Sequence, residues 1–226
     1  MPRVDQQRAG RTPWKATSGD PVTHDTPPRI PAERWWVEKL ARRYPIVDII
    51  REDRQTNGGF SQPGCQAVLF HRLANWAESG NAPWALRGPV RTLAKWGGRV
   101  SRMVYGIELP AEVTLGRRVR IAHQSGIVIH PDAVIDDDVL IRQNVTIGLR
   151  GDNDEGEPHA VPHIHRGVSL GAGAVVVGPI DIGPAATVGA NAVVTADVPA
   201  GGKAVAPRSR IHAPARRGPE FRVVSG

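Results

Sequence analysis

The sequence predicts a mainly β fold: a parallel β-helix of six-residue repeats, preceded by a small α-helical domain. Three observations carry that prediction. An aliphatic residue returns at every sixth position at Ile129, Ile135, Ile141 and Ile147, and resumes at Ile164, Leu170, Val176, Ile182, Val188 and Val194. A period of six fits neither the 3.6 of a helix nor the 2 of a strand; it is the signature of hexapeptide coils whose aliphatic side chains point to the axis. Small residues (Gly171, Gly173, Gly183, Gly189, Ala190) stand around those positions and suit tight corners. The composition agrees: 226 residues hold 25 Gly and 20 Pro but only 5% aromatics, which suits coils filled with Val, Ile and Ala. A β-sandwich of short strands is the alternative.

The chain divides into four parts. Residues 1–29 are polar, rich in Pro, Thr and Arg, and read as a disordered tail. An α-helical domain over 30–105 follows. Pro31 opens a helix to about Arg43, and a short turn covers Ile46 to Glu52. Asn57-Gly58-Gly59 is a loop. Pro63 opens a second long helix with Ala67, Val68, Leu69, Leu73, Ala74 and Trp76 on one apolar face. A third runs from Pro83 or Leu86 to Met103. Trp35, Trp36, Trp76, Trp84 and Trp96 are expected to pack these helices together. The β-helix occupies 106–202, and 203–226 is a C-terminal tail. Within the repeat, Leu109, Leu115, Ile121 and Ile127 keep the six-residue step, and the phase slips by two between Ile127 and Ile129. The 17 residues from Ile147 to Ile164 are one hexad plus an 11-residue insertion, giving a polar projecting loop over 149–161. Long excursions from a rigid repeat usually carry function.

The single cysteine, Cys65, excludes an internal disulfide framework and fits a reducing, cytoplasmic location; its apolar helical context predicts a buried thiol. No signal peptide and no membrane-spanning apolar run is found. The formal charge of +7 gathers at the termini. It reads as solvated tails, as attraction to phosphorylated small molecules, or as peripheral contact with an anionic membrane; no nucleic-acid motif accompanies it. A solenoid this short leaves flat apolar surface to cover, so an oligomer is expected, three-fold by analogy.

Of eight histidines, His24 and His212 lie in the tails, and His71 and His130 read as structural. His163 and His165 flank Ile164 and line the surface. His123 is different: it stands immediately before the phase slip, where an irregularity opens a pocket, and an imidazole there can take a proton from a hydroxyl.

Residues 63–211 resemble the serine acetyltransferase family of hexapeptide acyltransferases. The matching pieces run in order from His71-Arg72-Leu73 and Trp76, through Gly106-Ile107-Glu108, to His123-Gln124-Ser125-Gly126-Ile127-Val128-Ile129. Val145-Thr146-Ile147-Gly148, Gly171-Ala172-Gly173-Ala174, Val188-Gly189-Ala190-Asn191-Ala192-Val193-Val194 and Pro207-Arg208-Ser209-Arg210-Ile211 complete the set. The resemblance implies a left-handed parallel β-helix that transfers acetyl from acetyl-CoA to a hydroxyl without a metal. It places His123 on the general base and Glu108 on the acidic residue that orients it. Coenzyme A would lie in a groove between subunits of a homotrimer or dimer of trimers, where Gly148, Gly171, Ala172, Gly189 and Ala190 let it approach and Arg210 meets its phosphates.

The departures bear on the acceptor. The family carries an Asp just before the base, an Arg-His pair late in the insertion and an Asp-Pro-Ala element before the second helix. Here these are Ala122, Ala160-Val161 and Asp53-Arg54-Gln55. The region is more similar to colanic acid and other exopolysaccharide O-acetyltransferases, through Ile141-Arg142, Val145-Thr146-Ile147-Gly148, Arg150-Gly151-Asp152-Asn153 and Pro162-His163-Ile164. A saccharide or other non-serine acceptor is therefore expected. Ala122, Gln124, Arg150, His159 and His163 are the candidate acceptor-binding residues, and serine is the alternative acceptor. Two other readings stand beside the transferase. One is a γ-carbonic-anhydrase-like metal enzyme using His123, His159, His163 and His165; the other is a non-catalytic scaffold.

Overall fold

The computed structural model describes residues 45–79, 82–151 and 160–210. The expected helix over 31–43, Trp35, Trp36, His159 and both distal tails lie outside the described residues. Among the described residues three helices come first: α1 (Ile46–Thr56), α2 (Pro63–Glu78) and α3 (Trp84–Val100). Pro63 sits in the first turn of α2, where its missing N–H costs nothing. α1 runs past the expected Glu52. α3 passes into a π-helical turn over Ser101–Tyr105, which Gly106 closes in a left-handed conformation (φ 64°). None of the described helices is long and apolar enough to cross a membrane.

Fourteen short strands follow, and all pairings are parallel. Sheet A stacks β1 (Ile107–Glu108), β4 (Ile127–Ile129), β7 (Thr146–Gly148), β10 (Val175–Val177) and β13 (Val193–Val194). Sheet B stacks β2 (Thr114–Leu115), β5 (Val134–Ile135), β8 (His163–Ile164) and β11 (Asp181–Ile182). Sheet C stacks β3 (Arg120–Ile121), β6 (Leu140–Ile141), β9 (Ser169–Leu170), β12 (Thr187–Val188) and β14 (Lys203–Ala204). From β1 to β13 consecutive strands fall in sheets A, B and C in turn; between β13 and β14 the sheet B position is held by a single bridge, Ile182 to Val198. That makes a three-sided solenoid whose rungs pair with the coils above and below.

The core is built from the hexad residue and the smaller residue two places before it, as with Ala133 and Ile135 or Val139 and Ile141. All ten aliphatic positions of the repeat are buried, as are Leu115, Ile121 and Ile127. The first coil departs from the expected phase: Ile107, not Leu109, fills the core, and Leu109 packs partly buried beside it. β1 pairs Ile107 with Ile127, while the same strand β4 pairs Ile129 with Ile147. Both ends of this three-residue strand point inward, so the slip adds a core residue and loses none. The coil spacing follows. Ile164 stands over Ile182, a step of three hexads; Leu115 stands over Ile135, two residues more. Ile147 stands over Val176, eleven residues more, which is the length of the insertion.

The helical domain caps the open first coil with polar groups, and here the sequence reading is corrected. The buried face of α2 holds His71, Arg72 and Asn75 beside Ala67, Val68 and Ala74, while Leu69, Leu73 and Trp76 are only half-buried. Trp84 and Trp96, expected to pack helices together, are 86% and 64% exposed. Strand edges need partners, which is why polar side chains are buried. Asn57 Nδ2 donates to the Val119 carbonyl (3.0 Å), and its Oδ1 accepts from the Ile121 N–H (2.9 Å), replacing a missing rung on β3. Arg72 donates from Nη1 to the Leu115 carbonyl (2.7 Å), from Nη2 to that of Gly116, and from Nε to Asp53 Oδ2 (2.9 Å). His71 donates from Nδ1 to the Pro110 carbonyl (2.9 Å), and its Nε2 accepts from Asn75 Nδ2. Cys65 is a free buried thiol, as expected, and burial raises its pKa.

Candidate active site

In sheet C the register aligns Ile121, Ile141, Leu170 and Val188. The residues two places further on, His123, Gln143, Ala172 and Ala190, therefore fall in one column where the chain turns from sheet C to sheet A. In the later coils that corner takes one left-handed residue: Asn144 (φ 58°), Gly173 (φ 69°) or Asn191 (φ 55°). In the first coil it takes two, His123 (φ 56°) and Gly126 (φ 62°). Gly126 is the counterpart of Asn144, and a Cβ there would lie 2.3 Å from Asn144 Oδ1, so any other residue would displace that side chain. The two extra residues of the first coil thus make a bulge whose added left-handed residue is His123. A left-handed non-glycine residue is costly and persists where the surroundings impose it, often at functional sites. The His123 side chain is exposed.

Glu108 lies on the outer face of β1, in register with Val128 of β4, the strand that the His123 corner leads into. Its ion pair is with Arg102 of the π-helical turn, 3.5 Å away. Among the described residues no hydrogen bond joins Glu108 to His123. A cavity of about 320 Å³ opens beside Glu108 between α2, α3 and the first coil. Arg91, Lys95, Arg99 and Arg102 line it, with Glu78, Glu108 and Glu112.

The residues expected to admit coenzyme A separate into two groups. Ala172 and Ala190 stand in the His123 column, with Gly171 and Gly189 preceding them. Gly171 answers a packing demand of its own: a Cβ would meet the Ala190 backbone nitrogen at 2.6 Å. Gly148 ends β7 at the opposite edge of sheet A, where a Cβ would meet nothing within 4 Å. Arg210 is exposed. Of the acceptor candidates, Gln124 donates to Gln62 Oε1 (3.2 Å) and Ala122 is half-buried. Arg150 donates to the Thr195 carbonyl (2.9 Å), which ties the start of the insertion to the last coil. Ala160, where the family has an Arg, is buried.

His163 does not join His123. It belongs with His165, Asp136 and Asp181 on sheet B, so the imidazoles considered for a carbonic-anhydrase-like site are split between two regions. Burial alone would depress the His165 imidazolium, but hydrogen bonds to Asp136 and Asp181 outweigh it and raise the pKa to about 9. Burial would likewise raise Asp136, yet hydrogen bonds from His163 and His165 hold it at about 2. Sequence alone placed His163 and His165 among the imidazoles of a zinc-type site and left Asp136 and Asp181 out of this cluster. Its only signal was the outward register of 136, 163, 165 and 181, which is not visible until the insertion is removed from the count.

This architecture, a solenoid of hexapeptide coils with a histidine on a corner bulge, defines a class of left-handed β-helix proteins. No protein-family model matches the chain. A serine acetyltransferase of Mycobacterium tuberculosis is 39% identical over 140 residues, which are 62% of this chain and 56% of that protein. A putative colanic acid biosynthesis acetyltransferase, WcaB, of Escherichia coli K12 is 36% identical over 166 residues, 71% of this chain and 96% of that protein. The solved serine acetyltransferase of Neisseria gonorrhoeae is 26% identical with a TM-score of 0.59, covering 77% of this chain and 68% of that one. The chain belongs to the serine acetyltransferase family. It spans about half the length of the mycobacterial relative and nearly all of WcaB.

Proposed function

We propose that the chain is an acetyl-CoA-dependent O-acetyltransferase whose acceptor is a saccharide hydroxyl. The observation that carries the proposal is His123, placed on the one doubly left-handed corner of the solenoid, at the head of a column of small residues. The imidazole takes the proton from the acceptor hydroxyl as its oxygen attacks the thioester carbonyl. The tetrahedral intermediate then collapses, the carbon–sulfur bond breaks, and the imidazolium returns the proton to the leaving thiolate. Glu108 stabilises the imidazolium once Arg102 releases it. No covalent acyl-enzyme is needed.

Coenzyme A lies along the Ala172–Ala190 edge, with the open space at Gly148 as its other boundary and Arg210 at its phosphates. Val128 and Val193, exposed on the outer face of sheet A, are the kind of apolar surface that subunit packing covers, supporting a homotrimer or dimer of trimers with the groove between subunits.

The choice of acceptor rests on the missing amino-acid-reading groups. Ala122 stands before the base, and Ala160 and Val161 stand where the family carries its Arg-His pair, so the family's groups for a free ammonium and carboxylate are missing at those positions. An unpaired ionic group of the substrate would cost about 1–3 kcal/mol or more. Matched length does not choose between the two, since a serine acetyltransferase is matched over 94% of its length and WcaB over 96%; the higher identity to the mycobacterial enzyme favours serine.

Coenzyme A release measured with serine and with a panel of oligosaccharides distinguishes the two; robust turnover of serine alone overturns the saccharide assignment. His123→Ala is expected to abolish transfer with the oligomer and far-UV spectrum unchanged, and near-normal turnover would refute the general-base role.

A further inference from the structure

On sheet B, away from the His123 corner, one group of side chains is arranged as metal ligands are. The register puts Val134, His163 and Asp181 side by side on β5, β8 and β11. Asp136 and His165 follow one place beyond the core residues of β5 and β8. His163 approaches Asp136 Oδ1 through Nε2 (3.0 Å) and Asp181 Oδ1 through Nδ1 (3.8 Å). His165 approaches Asp181 Oδ1 through Nε2 (3.0 Å) and Asp136 Oδ2 through Nδ1 (3.5 Å). The two rings stack with centroids 3.9 Å apart. One ligand atom each from Asp136, His163 and His165 lies within 4.8 Å of the others.

We propose that Asp136, His163 and His165, with Asp181, form a structural site for a divalent transition metal of the zinc or cobalt type. The donor set is two imidazoles and two carboxylates, which suits these ions rather than calcium or magnesium. A tetrahedral ion with bonds near 2.0–2.1 Å separates its ligand atoms by about 3.4 Å. Each ring offers one nitrogen, and with Asp136 these ligand atoms already lie within 4.8 Å of one another, so side-chain movement closes them onto the ion. Three rungs supply the ligands, and rigid rungs give the fixed geometry that a metal site requires. All four side chains are largely shielded, at 15–26% exposure. His163 opens β8, the strand on which the chain rejoins the solenoid after the insertion. The metal therefore clamps the insertion's exit onto the coils before and after it. It takes no part in acyl transfer, whose base lies at another corner.

Full-length protein, freed of metal by a chelator, is titrated with Co²⁺ and with Zn²⁺ separately. One equivalent per chain is expected, with visible cobalt absorption of tetrahedral intensity and a raised melting temperature. His163→Ala/His165→Ala is expected to weaken binding at least about 100-fold, and Asp181→Asn about 10-fold. His165→Gln, similar in size, replaces the double variant should that one fail to fold. No saturable binding, or binding unaffected by these substitutions, overturns the site. Because the readout is metal binding, it stands or falls independently of the acyltransferase assignment.

Discussion

Replacing Arg72 by Met leaves the shape of α2 intact and removes a buried cation from beneath the first coil. Its guanidinium holds three acceptors: Asp53 Oδ2 and the carbonyls of Leu115 and Gly116. The ion pair is 7% and 4% exposed on its two sides, so water does not replace what is lost. Asp53 Oδ1 has no other partner, and the carboxylate would be left buried and alone. Orphaned buried acceptors cost about 1–3 kcal/mol each, and breaking one half of a buried ion pair costs about 3–5 kcal/mol in all. About 3–5 kcal/mol is expected rather than the larger sum over three acceptors, because the structure relaxes around the new side chain. Urea unfolding at fixed protein concentration measures it, because oligomer assembly otherwise shifts the midpoint. The companion variant Arg72→Met/Asp53→Leu is expected to recover a good part of the loss. A loss below about 1 kcal/mol for Arg72→Met alone, with unchanged m-value, would refute the idea that a buried cation seals the coil's open end.

Ile135→Ala, at a fully buried rung of sheet B, is expected to cost about 2–5 kcal/mol in the same assay. Gly171→Ala places a Cβ 2.6 Å from one backbone atom and 2.7 Å from another, so the coils must part; calorimetry is expected to show a loss of about 1–3 kcal/mol. With chelator present, the His165 pairing gives a stability term whose sign follows from its raised pKa. The term is complete below the unfolded value of 6.5 and fades as pH rises through about 9. His165→Gln removes that slope, and an identical pH profile for the two proteins would contradict the pairing.

The ten hexad positions are a repeat that sterics make unmistakable, because every face of the coil buries an aliphatic side chain at the same phase. Periodicity alone therefore determined the solenoid, its core residues and the length of the insertion. It also located the irregularity at His123. The packing of the helices was not legible, because amphipathic pattern assumes an apolar partner, and α2 meets a strand edge whose unpaired carbonyls and N–H groups require Arg72, Asn57 and His71. Sequence fixed neither the reason that Ile127 and Ile129 both turn inward nor the second left-handed residue at the corner; both arise from β4 pairing with two coils of different length. Asp136, His163, His165 and Asp181 are scattered along 46 residues and meet only because strands one coil apart stand side by side. Side chains pointing to the axis write themselves into the sequence as a period, while those pointing outward acquire neighbours only when the coils are stacked.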